Sequence, residues 1–125
     1  MLVKTVSFFH HLWLLVDFFG SAYFRKMLPA QPDKRRLRLV ANTSRIAKLF
    51  LKAFGIELEV FGAERLGVLK ENNHLIVANH VSYTDIIVLS SIFPFVYITS
   101  VEMGENPFLG DITRLGGCLY TNRKK

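Results

Sequence analysis

The chain has 125 residues, a length that fits one domain rather than two. Half of the residues are hydrophobic, which excludes an intrinsically disordered chain, and the single cysteine excludes an internal disulfide framework or a multi-cysteine metal site. The net charge of +6 indicates an anionic partner such as lipid head groups, nucleic acid or a phosphorylated substrate.

The positive charge is concentrated in the first half of the chain. Residues 1–55 carry ten basic and two acidic residues, whereas residues 56–125 carry six basic and eight acidic ones. A basic segment next to an apolar one is typical of membrane-associated proteins, whereas a nucleic-acid-binding domain more often spreads its cations over a folded face. We therefore expect membrane lipids, and no nucleic acid, as partners.

The first predicted element is the apolar segment Thr5–Phe24. As a helix it would rise about 30 Å, the thickness of a bilayer core, although Asp17, His10 and His11 are costly at that depth. Three interpretations stay open. The segment is a membrane-embedded or re-entrant anchor helix, a signal peptide with a cleavage site near Ser21, or an ordinary buried helix.

A break is predicted over Met27–Arg38, because Pro29 and Pro32 interrupt a helix. The basic cluster within Lys34–Arg38 fits either a solvated connector or a segment that lies against anionic lipid. We therefore assign residues 1–41 to a membrane anchor and a basic connector.

An amphipathic helix is predicted over Asn42–Gly55, where apolar residues recur at helical spacing and lysines occupy another face. Asn42, Thr43 or Ser44 would cap its start, and Gly55 suits the position after its end. The helix would pack on a core or rest on a membrane surface.

After Gly55, short apolar runs alternate with helical patterns. Strands are predicted over Ile56–Phe61, His74–Ala78, Phe95–Thr99 and Cys118–Thr121, and helices over Asp85–Phe93 and Pro107–Leu115. This order predicts an α/β fold with a partial parallel βαβαβ sheet and right-handed crossovers. We therefore assign residues 42–125 to a second region, which follows the membrane anchor and basic connector of residues 1–41.

The candidate catalytic residues follow the predicted strand His74–Ala78. Active sites of open parallel sheets gather beyond the carboxyl ends of strands, which is where His80 stands. Asp85 follows five residues later and would fix the tautomer of a histidine that acts as general base on a hydroxyl. The structural alternative makes Ser82 a helix cap and Asp85 a first-turn acid. A Ser82 nucleophile is disfavoured because no G-x-S-x-G elbow surrounds it.

Two motif blocks resemble those of the glycerolipid acyltransferases. Asn79-His80-x4-Asp85 resembles the first signature block of that family, the HX4D motif, and Gly116–Arg123 resembles the second. Between them, Asn106–Gly110 resembles the P-F-x-G passage of the family. The resemblance covers roughly Ala47 to Arg123, with both blocks in order and in register.

The resemblance implies roles for three residues. His80 would deprotonate the acceptor hydroxyl, Asp85 would orient His80, and Arg123 would bind the acceptor phosphate through its guanidinium fork. The implied reaction transfers a fatty acyl group from acyl-CoA or acyl carrier protein to a lysophospholipid, as in phospholipid biosynthesis. The lysophospholipid that the resemblance favours is 1-acylglycerol-3-phosphate. The reaction needs no metal or other cofactor, and it takes place at the cytoplasmic face of a membrane. Residues 42–125 would then be the N-terminal part of an acyltransferase domain.

One departure from the family pattern concerns the third block, a Glu-Gly-Thr or Glu-Gly-Ser turn. No Glu-Gly pair occurs in this sequence. We therefore expect a fragment or truncated product that shows no turnover by itself and leaves the Cys118–Thr121 strand as an unpaired edge. The alternative function is that of a catalytically inactive, membrane-binding remnant of such an enzyme.

Overall fold

The computed structural model describes residues 2–71 and 74–122. In that part of the chain, six α-helices, one 3₁₀ helix and a sheet of two parallel strands form a mixed α/β architecture. The helices are α1 (Leu2–Met27), α2 (Pro32–Ala53), α3 (Val68–Glu71), α4 (Tyr83–Ile92), α5 (Val101–Glu105) and α6 (Leu109–Leu115), with the 3₁₀ helix at Ala63–Gly67. The strands are β1 (Ile98–Ser100) and β2 (Leu119–Thr121).

Helix α1 contains the helix predicted over Thr5–Phe24. Its buried face carries Leu14, Phe18 and Ala22, and the helix packs against α2. The opposite face, which we call the apolar outer face, is exposed although it carries large apolar side chains: Phe9, Leu12, Trp13, Val16, Tyr23, Phe24 and Met27. Across the described residues, no helix combines the length and apolar character that crossing a membrane requires.

Helix α2 starts ten residues earlier than the sequence analysis predicted. Pro32 does not break the helix but occupies its first turn, where the missing N–H costs nothing and the fixed φ angle suits the helix. The basic cluster Lys34–Arg38 is therefore helical, and the prediction of a non-helical connector is wrong there. Asn42 does not cap the helix, because it lies in its interior and is 2% exposed.

The end of α2 agrees with the sequence. Gly55 has a φ angle of +66°, which a residue with a Cβ atom rarely adopts, and its N–H bonds the carbonyl of Lys52 at 3.2 Å. The N–H of Ile56 bonds the carbonyl of Leu51 at 2.9 Å. These two bonds form a Schellman motif, which satisfies carbonyls that the helix end would leave unpaired.

The hydrophobic core joins the N-terminal hairpin to the C-terminal part of the chain. It consists of Phe18 and Ala22 from α1, Leu39 and Ile46 from α2, and Leu115 from α6. Helix α2 also packs along α4. The predicted division between residues 1–41 and 42–125 falls inside α2 and stays a prediction.

The sheet is smaller than predicted. β1 and β2 pair in parallel, with Thr99 opposite Tyr120, as expected for two strands joined by helices. Ile56–Phe61 and His74–Ala78 form no strand, so those two predictions are wrong. A strand needs a neighbour for its backbone hydrogen bonds, and the described residues of these segments join no ladder. Leu75 and Val77 are consequently 81% and 88% exposed.

Candidate active site

Helix α4 begins with a capping box. The hydroxyl of Ser82 accepts a hydrogen bond from the backbone N–H of Thr84 at 3.2 Å, and the carboxylate of Asp85 accepts one from the N–H of Ser82 at 2.8 Å. Reciprocal bonds of this kind satisfy N–H groups that a helix start would leave unpaired. The structural role predicted for Ser82 and Asp85 is therefore present.

The same carboxylate also contacts His80. Oδ2 of Asp85 accepts a second backbone hydrogen bond, from Val81 at 2.8 Å, and lies 3.3 Å from Nδ1 of His80. The side chains of His80 and Asp85 are 54% and 38% exposed, so solvent and substrate can reach the pair. Oδ2 of Asp85 therefore takes part both in the start of the helix and in the candidate catalytic pair.

The surroundings of Asp85 favour its ionised form. Hydrogen bonds from the N–H groups of Ser82 and Val81, with a smaller contribution from His80, lower the pKa of the Asp85 carboxyl below its ordinary value of 3.8. An ionised carboxylate only accepts hydrogen bonds, so we assign the proton of the imidazole to Nδ1. Nε2 of His80 then carries the lone pair that can accept a proton from a hydroxyl. The position of Asp85 thus fits the orienting role that the sequence predicts for it.

Aromatic packing adds a second contact to the histidine. The ring of Tyr83, in the first turn of α4, meets the His80 ring edge to face with centroids 6.5 Å apart. The hydroxyl of Ser82 serves the helix start, because besides accepting the Thr84 N–H it donates to Thr84 Oγ1 at 3.3 Å. This arrangement supports a histidine base and offers no support for a serine nucleophile.

The remaining candidate site residue is Arg123, and the single cysteine of the chain is Cys118. Arg123, predicted to bind a phosphate, lies outside the described residues, so its role stays a prediction. Cys118 precedes β2, and burial raises the pKa of its thiol to about 11. Within residues 2–71 and 74–122, no group of three or more His, Cys, Asp or Glu side chains could hold a metal ion.

A polar network between α1 and α2 escaped the sequence analysis. The guanidinium of Arg45 pairs with both carboxylate oxygens of Asp17, each at 2.9 Å. The amide of Asn42 donates to the hydroxyl of Ser21 at 2.9 Å, and Arg45 reaches both of these groups. The hydrogen bond from Arg45 lowers the pKa of Asp17. A single acidic residue within an apolar helix indicates that a basic residue pairs with it. The sequence does not say which basic residue does so.

Two clefts of similar size lie near the packed helices. One, of about 410 Å³, is formed by the end of α2, by Ile56–Leu58 and by Ser91. The other, of about 430 Å³, lies beyond the carboxyl end of β1. His80 and Asp85 line neither of them. The pair of His80 and Asp85 lies at the surface, with side chains 54% and 38% exposed.

Comparison with known proteins gives one family and two relatives. A family model described as Acyltransferase matches residues 57–125. The chain is 33% identical over 92 residues, 74% of its length, to a 1-acyl-sn-glycerol-3-phosphate acyltransferase of Neisseria gonorrhoeae. It is 36% identical over 52 residues, 42% of its length, to the protein of that name from Neisseria meningitidis serogroup B. The matched parts are 33% and 20% of these relatives, and no solved structure matches.

Proposed function

The chain belongs to the acyltransferase family, and on that premise we propose that it transfers a fatty acyl group from an acyl thioester to the free hydroxyl of a lysophospholipid. The observation that carries the proposal is the contact between Nδ1 of His80 and Oδ2 of Asp85, within the region that the family model matches. The acyl donor is acyl-CoA or acyl carrier protein, since both present the acyl group as a thioester.

The proposed reaction uses the histidine first as a base and then as an acid. Nε2 of His80 takes the proton of the acceptor hydroxyl while the hydroxyl oxygen attacks the carbonyl carbon of the thioester. The carbon–sulfur bond then breaks, and the leaving thiolate takes the proton from His80, which yields an ester and a free thiol. Asp85 keeps the ring oriented and stabilises its cationic form between these two transfers.

The proposed acceptor is 1-acylglycerol-3-phosphate, and the product is then phosphatidate. The names of both relatives support this choice. Arg123 follows β2 in the sequence, and an arginine suits a phosphate because its planar guanidinium makes two parallel hydrogen bonds. We propose that it binds the phosphate of the acceptor.

Membrane association at the cytoplasmic face is part of the proposal. The apolar outer face of α1 extends about 27 Å from Phe9 to Met27, at a rise of about 1.5 Å per residue. Trp13 and Tyr23 on this face are 66% and 45% exposed, and such aromatic side chains favour membrane interfaces. Lys34, Arg38, Lys48 and Lys52 are exposed along α2 and would attract anionic lipids.

A vesicle flotation assay tests the membrane proposal. The double variant Trp13→Gln/Phe24→Gln should bind phosphatidylglycerol vesicles at least about tenfold more weakly, because it removes two large apolar side chains from the contact. The matched control is Phe61→Gln/Phe108→Gln, which replaces two aromatic side chains, 86% and 62% exposed, in another part of the chain. Equal losses in the two variants would contradict a role for the outer face of α1.

The catalytic proposal is tested by an acyl-transfer assay on the product of the complete open reading frame that encodes these residues. His80→Ala should lower kcat by roughly 10²- to 10⁴-fold, the contribution of a positioned general base. His74→Ala is the matched control, since His74 is also exposed and contacts the carbonyl of Val68 at 3.0 Å. Near-normal transfer by a folded His80→Ala variant would refute the mechanism. Absence of transfer in the unmodified protein, with vesicle binding retained, would favour the inactive remnant.

A further inference from the structure

The cleft at the end of α2 lies away from the candidate catalytic pair. Its volume is about 410 Å³, which is within the range of small-molecule sites. Ser91, which lines the cleft, stands eight residues after the first residue of α4, about 12 Å along the helix from the end where Asp85 contacts His80. A ligand in this cleft would therefore leave the reacting groups free.

One part of the lining is apolar. Leu51 is buried, whereas Ile56 and Leu58 are each 39% exposed. The N–H of Ile56 bonds the carbonyl of Leu51 at 2.9 Å, so the segment after α2 is tied to the last turn of the helix. These side chains form an apolar surface whose backbone is fixed before a ligand arrives, and an apolar ligand would remove its exposed part from water.

Two lysines give the same cleft a positive charge. Lys48 and Lys52 lie one turn apart on α2, and both are exposed. Among the residues that the structure describes, no ion pair includes either lysine. Both ammonium groups are therefore available to an anionic ligand.

The charges of the lining distinguish between kinds of anion. Lys48, Lys52 and Glu57 together give the lining a net charge of +1. A carboxylate, with one negative charge, neutralises this lining, whereas a phosphate monoester carries a charge of about −1.5 to −2 and would leave excess negative charge beside Glu57. The C-terminal carbonyls of α2 add a partial negative charge of about half a unit, which the two ammonium groups outweigh.

We propose that this cleft is an accessory site for a fatty acid, with the carboxylate on Lys48 and Lys52. The chain of the fatty acid lies against the apolar side chains of the cleft: Leu51, Ile56 and Leu58. A volume of about 410 Å³ has room for one such chain rather than for the two chains of a diacyl lipid. Binding at this site involves neither His80 nor an acyl donor, so it is independent of the proposed acyl transfer.

The test is a titration of the whole chain with octanoate below its micelle concentration, followed by amide signals in two-dimensional NMR spectra. We expect saturable shifts centred on Gly55 and Leu58. Decanoate should bind at least about threefold more tightly, because each methylene contributes roughly fourfold when it is fully buried. Shifts at Trp13 and Phe24 without shifts at Gly55 and Leu58 would place the ligand on the apolar outer face of α1 and would overturn the proposal.

Two further amphiphiles test the head group. Octanol is uncharged and should bind at least about fivefold more weakly than octanoate, since it forms no ion pair with the lysines. Octyl phosphate should also bind more weakly than octanoate, and Glu57→Gln should narrow this difference because it removes the repelling charge. Equal binding of octanol, or tighter binding of octyl phosphate to the unmodified chain, would overturn the assignment of the cleft to a fatty acid.

Substitutions test the contribution of the two lysines. Lys48→Gln/Lys52→Gln should weaken octanoate binding about five- to thirtyfold, the effect of losing two exposed ion pairs. The matched control is Lys34→Gln/Arg38→Gln, which removes the same charge from exposed positions of α2 that do not line the cleft. The control should change the affinity less than about twofold, and circular dichroism should show an unchanged helix content in both variants. Equal losses in the two variants would mean a diffuse charge effect and would overturn the proposal.

Discussion

The α1–α2 hairpin and the start of α4 are both held by polar contacts, but over very different distances along the chain. In the hairpin, Asp17 reaches Arg45 across 28 positions. At the start of α4, every contact of the capping box and of the His80–Asp85 pair lies within five positions. The contact between Asp17 and Arg45 therefore depends on how α1 packs against α2. The contact between His80 and Asp85 depends on one turn of backbone at the start of α4.

This difference explains why the candidate site is present beside an incomplete sheet. The segment before His80 forms no strand, and Leu75 and Val77 are exposed, yet Asp85 still contacts His80 because the helix start positions both groups. A local motif thus assembles the pair without help from the sheet. A variant that removes a local contact should affect the start of α4. A variant that removes the distant contact should affect the α1–α2 hairpin.

Among the variants that test this comparison, the largest effect is expected from Asp85→Ala, which removes the acceptor of the local contacts. We expect kcat to fall roughly 10- to 100-fold, less than for the loss of the base itself, because His80 remains but loses its orientation. The start of α4 should also be destabilised, because the N–H groups of Val81 and Ser82 lose their acceptor. Activity assays and amide hydrogen exchange measure the two effects.

Ser82→Ala is the control for that variant. It removes the hydroxyl that bonds the N–H of Thr84 but leaves the contact between His80 and Asp85. It should destabilise the start of α4 and change kcat much less than Asp85→Ala. In both variants, exchange protection in α1 and α2 should stay as it is in the unmodified chain. Faster exchange there would show that the two regions are not independent.

A smaller effect is expected when the distant contact is removed. Asp17→Asn and Arg45→Gln should each lower the free energy of unfolding by about 1 kcal/mol, since the two side chains are 25% and 41% exposed and solvent weakens their attraction. The double variant should lose less than the sum, which a double-mutant cycle in urea measures. Arg36→Gln should have almost no effect, because its partner Asp33 is 91% exposed. Strict additivity at Asp17 and Arg45 would contradict their direct interaction.

Acid should weaken both regions in the same pH range. The pKa values of Asp17 and Asp85 are lowered in the folded chain, so the folded state favours their ionised forms. Their contribution to stability is complete above the ordinary value of 3.8 and disappears as the pH falls through the lowered values. Urea midpoints measured from pH 6 to pH 2 should fall mainly below pH 4. In the variant Asp17→Asn, the hairpin should lose less of its stability over this range.

The smallest effect is expected at Cys118, which belongs to neither polar contact. With a pKa of about 11, roughly one thiol in several thousand is ionised near pH 7.4, so alkylation by iodoacetamide should be slow in the folded chain. The same thiol should react at the ordinary rate in urea. Fast alkylation of the folded chain would mean that Cys118 is more accessible than its burial implies.

Local signals in the sequence predicted local structure well. Asp85 as a first-turn acid, Gly55 after the end of α2 and the helix that stops before Pro94 are all present, because each depends on a few neighbouring residues. The early start of α2 was missed because a proline breaks a helix in its interior but is favourable in its first turn.

Features that depend on distant partners were predicted less well. His74–Ala78 has the composition of a buried strand, but composition does not supply the neighbouring strand that its backbone requires. Asp17 was expected to be a cost in an apolar helix, whereas it is the partner of Arg45. The pairing of Asp17 with Arg45 follows from the register of α1 against α2, which the sequence of either helix alone does not specify.

Oδ2 of Asp85 accepts two backbone hydrogen bonds and contacts the candidate base, so under the proposed mechanism a single atom would serve both folding and chemistry. Selection for a stable helix start and selection for the proposed acyl transfer would then act on the same position. Asparagine would preserve much of the cap but lose the charge, and glutamate would keep the charge but place it one methylene further away. A lineage that abandoned catalysis would still be under pressure to keep an acceptor here, so an acidic residue at this position is weaker evidence of activity than the histidine five residues before it.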